Sequence, residues 1–282
     1  MSVSTVGVIG AGVMGSGIAQ VAATKGIDVI LLDVNEKAVK KGIDGVEGRL
    51  AREVAKGKMT LAEKETALRR IKGTAAYESL KPANVIIEAA TEDYNLKTNI
   101  FKQVDGLIGA DAIVASNTSS VSITKLASCI SHPERFVGLH FFNPVPVMSL
   151  VEIIRGMQTS DATCDAAGAL AAQLGKSTIT VKSAPGFVVN RILLPMINEA
   201  FFVLTEGYAS AEDIDKGMKL GCNHPIGPLA LADMIGLDVL LSVMQILHDE
   251  FADSKYTPCP LLKELLAAGH LGRKSGRGVF SY

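Results

Sequence analysis

Tryptophan is missing altogether, aromatic residues make up only 5% of the chain, and the cysteines number four. Cys129, Cys164, Cys222 and Cys259 are widely spaced with no CxxC pair, which excludes a zinc-ligand pattern and a disulfide framework and fits reduced thiols in a cytosol. Charge of one sign is missing too. Lys and Arg total 28 against 29 Asp and Glu, a formal net charge of −1, so nothing draws the chain as a whole toward nucleic acid or anionic lipid. Any polyanionic group must be met locally. No apolar run approaches the roughly 20 residues that span a bilayer, and the opening MSVSTVGVIGAGVMG has no basic leader segment. A cytoplasmic protein without membrane or nucleic-acid partners is the expectation.

What is present is 282 residues, 48% hydrophobic, with 27 glycines, more chain than one core usually serves. Apolar, β-type runs recur at residues 6–9, 29–32, 85–87, 113–115, 136–139, 151–154 and 178–181, separated by helix-like segments. That alternation predicts an α/β domain of Rossmann type, an open and mostly parallel sheet with crossover helices. After Pro185-Gly186 the strand signal stops, and residues 188–206, 211–221, 229–251 and 261–268 read as helices. Ser210 is a plausible N-cap with Asp213 at the capping-box position, and Gly221 is expected to end that helix. Two domains follow, residues 1–184 and an all-helical 185–282.

One excursion interrupts the first domain. Residues 36–72 exceed a single crossover, and Val39, Ile43, Val46, Leu50 and Val54 recur at helical spacing, which predicts a helical hairpin projecting from the sheet. It carries eleven Lys/Arg against six Asp/Glu, a local +5. Such a face is either simply solvated or a landing site for a phosphate-bearing group.

The first β-type run leads into Gly10-x-Gly12-x-x-Gly15. A bare GxGxxG is a weak signal, but this one follows a strand and opens a helix. The first glycine permits the tight turn, the second lets backbone approach a pyrophosphate, and the third allows close packing. The N–H groups of Val13 and Met14 then face phosphates at the positive end of the helix. Asp33 follows Gly15 by 18 residues, at the tip of the next apolar strand, where a carboxylate accepts from ribose hydroxyls and repels a 2′-phosphate. NAD is thereby favoured over NADP.

Ligands of an open α/β sheet bind beyond the carboxyl ends of its strands. Residues 92–97, Asn117-Thr118-Ser119-Ser120 and His140 all fall there. Oxidising an alcohol requires a base near neutrality as hydride leaves carbon, and of five histidines only His140 ends a strand of the cofactor domain. Alone it would equally suit a core histidine bonded to backbone. Glu152, on the strand after the proline-bearing NPVPVMS, changes that reading, because a carboxylate beside imidazole selects its tautomer and stabilises the imidazolium. A partner for Arg155, or a solvent-facing residue, is the plainer role for Glu152.

The segments GAGVMGSGIAQ, IIEAATED, ASNTSSVSIT, HFFNPVPVMSLVEII, PGFVVNRILLPMINEA, NHPIGPLALADMIGLD and GRKSGRGVFSY, in this order across essentially the whole chain, resemble the (S)-3-hydroxyacyl-CoA dehydrogenases, especially the bacterial 3-hydroxybutyryl-CoA dehydrogenases. The resemblance implies His140 as general base, Glu152 as its orienting carboxylate, and Ser119 and Asn190 on the substrate oxygens in an interdomain cleft. It implies that Glu92, Lys97, Asn117 and Lys274, with Asp33, contact NAD. It also implies that the hairpin receives the coenzyme A phosphates of an acyl-CoA, with Arg52 and Lys56 the best candidates on spacing, and that the helical domain forms a homodimer. Ser149 and Thr257 depart from the family pattern, away from the chemistry. Competing readings keep the same frame with a free hydroxy acid or sugar acid as substrate, or a crystallin-like protein that holds NAD without turning it over.

Overall fold

The computed structural model describes residues 3–282 and divides into two compact units, Met1–Ser183 and Ala184–Tyr282. In the first, the seven apolar runs form β1 (Thr5–Ile9), β2 (Asp28–Leu32), β4 (Val85–Glu88), β5 (Ile113–Ser116), β6 (Phe136–Phe141), β7 (Leu150–Arg155) and β8 (Ser177–Lys182), joined by an unforeseen β3 (Ile71–Thr74). The single sheet has the order β3-β2-β1-β4-β5-β6-β7-β8. Every neighbouring pair is parallel except β6 and β7. Because the chain leaves β1 first toward β2 and later resumes at β4 on the other side, the crevice of the sheet opens at the carboxyl ends of β1 and β4.

Helices cover both faces: α1 (Val13–Thr24), α2 (Glu36–Ala55), α3 (Leu61–Arg69), α4 (Tyr94–Asp105), α5 (Ile123–Ala127) and α6 (Asp161–Gln173). Alternation along β1 shows why the strands read as unbroken apolar runs. Val6 and Val8 enter one core with Ile18, Leu31, Val46 and Leu50, while Ile9 enters another with Ile30, Ile86 and Ile100. The hairpin expected from the helical spacing is α2 and α3, and α2 is anchored. Val39, Gly42, Val46 and Leu50 of α2 are buried, and Val46 and Leu50 join the core that contains α1. Each buried leucine there contributes roughly 1.5–3 kcal/mol, so the basic face is carried on an anchored helix.

The second unit comprises α7 (Val189–Thr205), α8 (Ala211–Gly221), α9 (Pro228–Ile235), α10 (Leu237–Phe251) and α11 (Pro260–Ala267). Leu194, Ile197, Phe201, Leu240, Met244, Leu247 and Leu262 share its core. Ser210 caps α8 as expected, accepting from Asp213 N. The helix ends at Gly221, as expected, and a left-handed residue, Asn223, follows shortly beyond it. The apolar stretch 229–251 is two helices rather than one, bent by 98° around Gly236, whose φ of +102° a side chain would rarely tolerate. Buried Asp215 accepts from Leu229 N and Ala230 N at the start of α9, and buried Asp233 holds the C-terminal segment through Val279 N, Phe280 N and the Tyr282 hydroxyl. No single helix among the described residues is long and apolar enough to cross a membrane.

Candidate active site

The turn from β1 into α1 is shaped by what cannot fit. At Gly10, with φ of +100°, a Cβ would lie 2.7 Å from Ala89 O, and at Gly15 it would overlap Gly10 O. Gly12 is different: a Cβ there meets nothing within 4 Å, so open space faces the backbone. No side chain caps the α1 terminus and its first turn has no acidic residue, which leaves the N–H groups of Val13 and Met14 without helical acceptors. Asp33, half-buried at the end of β2, accepts from Ala11 N at 2.6 Å and Val34 N at 2.7 Å. An open cradle of unpaired amides beside a fixed carboxylate fits a dinucleotide pyrophosphate and its adenosine ribose.

Four residues of β6 and β7 stand in antiparallel register, with His140 directly opposite Glu152. The imidazole Nδ1 lies 2.7 Å from Glu152 Oε2; Glu152 is fully buried and His140 only 6% exposed. An ionised carboxylate only accepts, so Nδ1 is the donor in this bond. Phe142 packs on the ring with centroids 4.5 Å apart. Asn117 accepts from Phe141 N at 2.9 Å and so ties the end of β5 to the residue after His140.

Glu92 is another carboxylate that the resemblance assigned to the cofactor. Glu92 Oε1 accepts from the Ser119 N–H at 2.8 Å, the Ser120 N–H at 3.0 Å, the Ser120 hydroxyl at 2.9 Å and the Ser119 hydroxyl at 3.3 Å, and from the Thr118 hydroxyl as well. Burial opposes its ionisation, but the Lys97 ammonium and the donors of Thr118, Ser120 and Ser119 outweigh it and hold the carboxyl below the usual glutamate range. A carboxyl so depressed stabilises the fold above its unfolded pKa, and that contribution disappears as pH falls through the folded value. Melting temperatures of wild type and Glu92→Gln should therefore differ at neutral pH and converge under acid; a gap independent of pH would show that the charge contributes nothing.

Lys97 is enclosed. Its side chain is 1% exposed, with Nζ 2.8 Å from Glu88 Oε1 and 3.2 Å from Glu92 Oε2. The residue that the resemblance assigned to NAD thus has its ammonium set between two carboxylates. In the hairpin, Arg52 is exposed and Lys56 lies 3.8 Å from Glu53. Arg49, which charge counting did not separate from its neighbours, is half-buried and donates to Gln20 Oε1 at 2.6 Å and Ser16 Oγ at 3.1 Å, binding the hairpin to α1. In the second unit Asn190 is half-buried in the first turn of α7, and Lys274 pairs with Asp238 at 2.5 Å. Glu88 and Ser116 were missed, although a lone carboxylate closing the apolar run VIIE was a readable signal.

Strand order, open glycine turn and the carboxylate at the end of β2 fit an NAD-dependent dehydrogenase. The model of the 3-hydroxyacyl-CoA dehydrogenase NAD-binding domain matches residues 5–184 and that of the family's C-terminal domain residues 186–282. The chain belongs to the 3-hydroxyacyl-CoA dehydrogenase family. It is 51% identical to a 3-hydroxybutyryl-CoA dehydrogenase of Bradyrhizobium diazoefficiens, over 99% of this chain and 96% of the other. It is 50% identical to a probable 3-hydroxybutyryl-CoA dehydrogenase of Bacillus subtilis, over 100% and 98% respectively. Among solved structures, the (S)-3-hydroxybutyryl-CoA dehydrogenase PaaH1 from Ralstonia eutropha shares 62% identity and a TM-score of 0.96, with 100% of this chain and 99% of that one covered.

Proposed function

We propose that the chain catalyses reversible oxidation of an (S)-3-hydroxyacyl-CoA, 3-hydroxybutyryl-CoA in particular, to the 3-ketoacyl-CoA. The observation that carries this reading is the buried His140–Glu152 pair at the carboxyl edge of a family NAD-binding domain. NAD, when bound, takes the hydride. His140 takes the hydroxyl proton at Nε2, and Glu152 stabilises the resulting imidazolium through Nδ1–H. In the reverse direction the imidazolium returns the proton to the carbonyl oxygen. Ser119 and Asn190 hold the substrate oxygens, a positioning effect worth several kcal/mol in favourable cases. Gly10, Gly12, Gly15, Val13, Met14 and Asp33 bind the dinucleotide, with Glu92, Lys97, Asn117 and Lys274 as further contacts, while Arg52 and Lys56 meet the coenzyme A phosphates.

The basic hairpin, anchored through α2, favours a CoA thioester over a free hydroxy acid. Acetoacetyl-CoA and free acetoacetate should therefore differ by at least about 100-fold in kcat/KM for NADH oxidation, a differential binding of about 2.7 kcal/mol. NADPH should be a poor replacement because Asp33 repels its 2′-phosphate. Equal rates with acetoacetate would move the reading to a free-acid dehydrogenase; no oxidation of NADH would leave a binding protein.

A homodimer through the helical unit belongs to the same proposal, as does a cytoplasmic setting. Most apolar side chains of α7 and α10 are the unit's own core, but Ile192, Leu220, Met234 and Val239 remain exposed and supply an apolar surface for a second copy.

A further inference from the structure

Glu88 ends β4 with its carboxylate fully buried, opposite Ser116 in the register with β5. It accepts from Lys97 Nζ at 2.8 and 3.0 Å, from the Ser116 hydroxyl at 2.6 Å and from Ala90 N at 2.7 Å. Apolar residues of similar volume often stabilise a core as well as a buried ion pair does, so stability alone gives little reason for charge at this place. The direction in which the charges run is informative. From Glu88 the chain passes to Lys97, from Lys97 to Glu92, and from Glu92 to the donors of Thr118, Ser119 and Ser120. The Ser116 hydroxyl also accepts from Thr118 N at 3.3 Å. The segment bearing Ser119 is therefore gripped at its root by Ser116 and at its tip by Glu92, and both grips lead back to Glu88.

We infer that Glu88, together with Lys97 and Ser116, is a positioning residue of the reaction. The inference rests on the reading that Ser119 holds a substrate oxygen. Glu88 fixes the Lys97 ammonium, the ammonium fixes one oxygen of Glu92, and the other oxygen of Glu92 sets the backbone and hydroxyl of Ser119. Lys97 thus transmits the position of Glu88 to Glu92. Its neutral alternative, a purely structural ion pair, would act on the fold and not on Ser119 in particular.

A double-mutant cycle separates the two, using the full-length protein, NADH and acetoacetyl-CoA, with the concentration of folded enzyme set by NADH titration. Wild-type turnover is read first, and its absence would remove the functional reading itself. Glu88→Gln keeps the shape and removes the charge; it should lower kcat about tenfold, since small displacements of a positioned group have effects of this order or larger. In a Ser119→Ala background the same substitution should change kcat less than about twofold, because the group it positions is gone. Equal factors in both backgrounds, or an unchanged kcat in Glu88→Gln, would overturn the inference while leaving the reaction intact; an unchanged kcat in Ser119→Ala would overturn it together with the role of Ser119. Should Glu88→Gln not fold, Ser116→Ala removes only one hydroxyl donor from the same carboxylate, and its effect of about threefold should likewise disappear without Ser119.

Discussion

Replacing His140 with asparagine should lower kcat by about 10³-fold while leaving NADH affinity and the melting temperature close to wild type. The size follows from losing general acid–base catalysis, generally 10²–10⁴-fold. The choice of asparagine follows from the geometry. Glu152 is fully buried and 2.7 Å from Nδ1, and an amide nitrogen placed near the Nδ1 position keeps a donor on that carboxylate. Alanine would instead take that donor away from a buried carboxylate and confuse catalysis with folding. Steady-state turnover with acetoacetyl-CoA, fluorescence titration of NADH and thermal melting make the three measurements. Turnover within a few-fold of wild type would remove His140 from the chemistry.

The second large effect concerns the cofactor. Gly12→Ala should weaken NADH binding about 30-fold, close to 2 kcal/mol, with the melting temperature unchanged. In the protein alone a Cβ at Gly12 touches nothing, and its φ of −66° suits any residue, so the fold has no reason to notice. The added methyl group would occupy the space that the pyrophosphate needs. Gly15→Ala provides the contrast, since its Cβ would overlap the Gly10 carbonyl and should reduce stability and NADH binding together. If Gly12→Ala bound NADH normally, the open space in front of the loop would not be the phosphate cradle.

What could be read in advance depended on range. Six of the seven apolar runs became strands because both faces of the sheet are covered there, so burial leaves a continuous signature, whereas the seventh, β8, is an exposed edge strand read from its β-branched residues. β3 left none: in Ile71–Thr74 only Ile71 is buried, as suits the edge of the sheet. The break at Gly236 was hidden because apolar spacing continues from α9 into α10, and a backbone bend has no periodicity. His140 and Glu152 could be paired because a short antiparallel connection joins their strands. Glu88, Lys97, Glu92 and Ser119 could not, since their partnership arises where four separate segments meet at one end of the sheet, and composition says nothing of such meetings.

Asp33 has a consequence for altering coenzyme preference. The oxygen pair that would repel a 2′-phosphate also accepts the Ala11 amide and thereby closes the loop in which any dinucleotide must rest. Neutralising it to admit NADP would loosen the seat for both coenzymes, so a redesigned enzyme would need a new acceptor for that amide before a new cation for the phosphate.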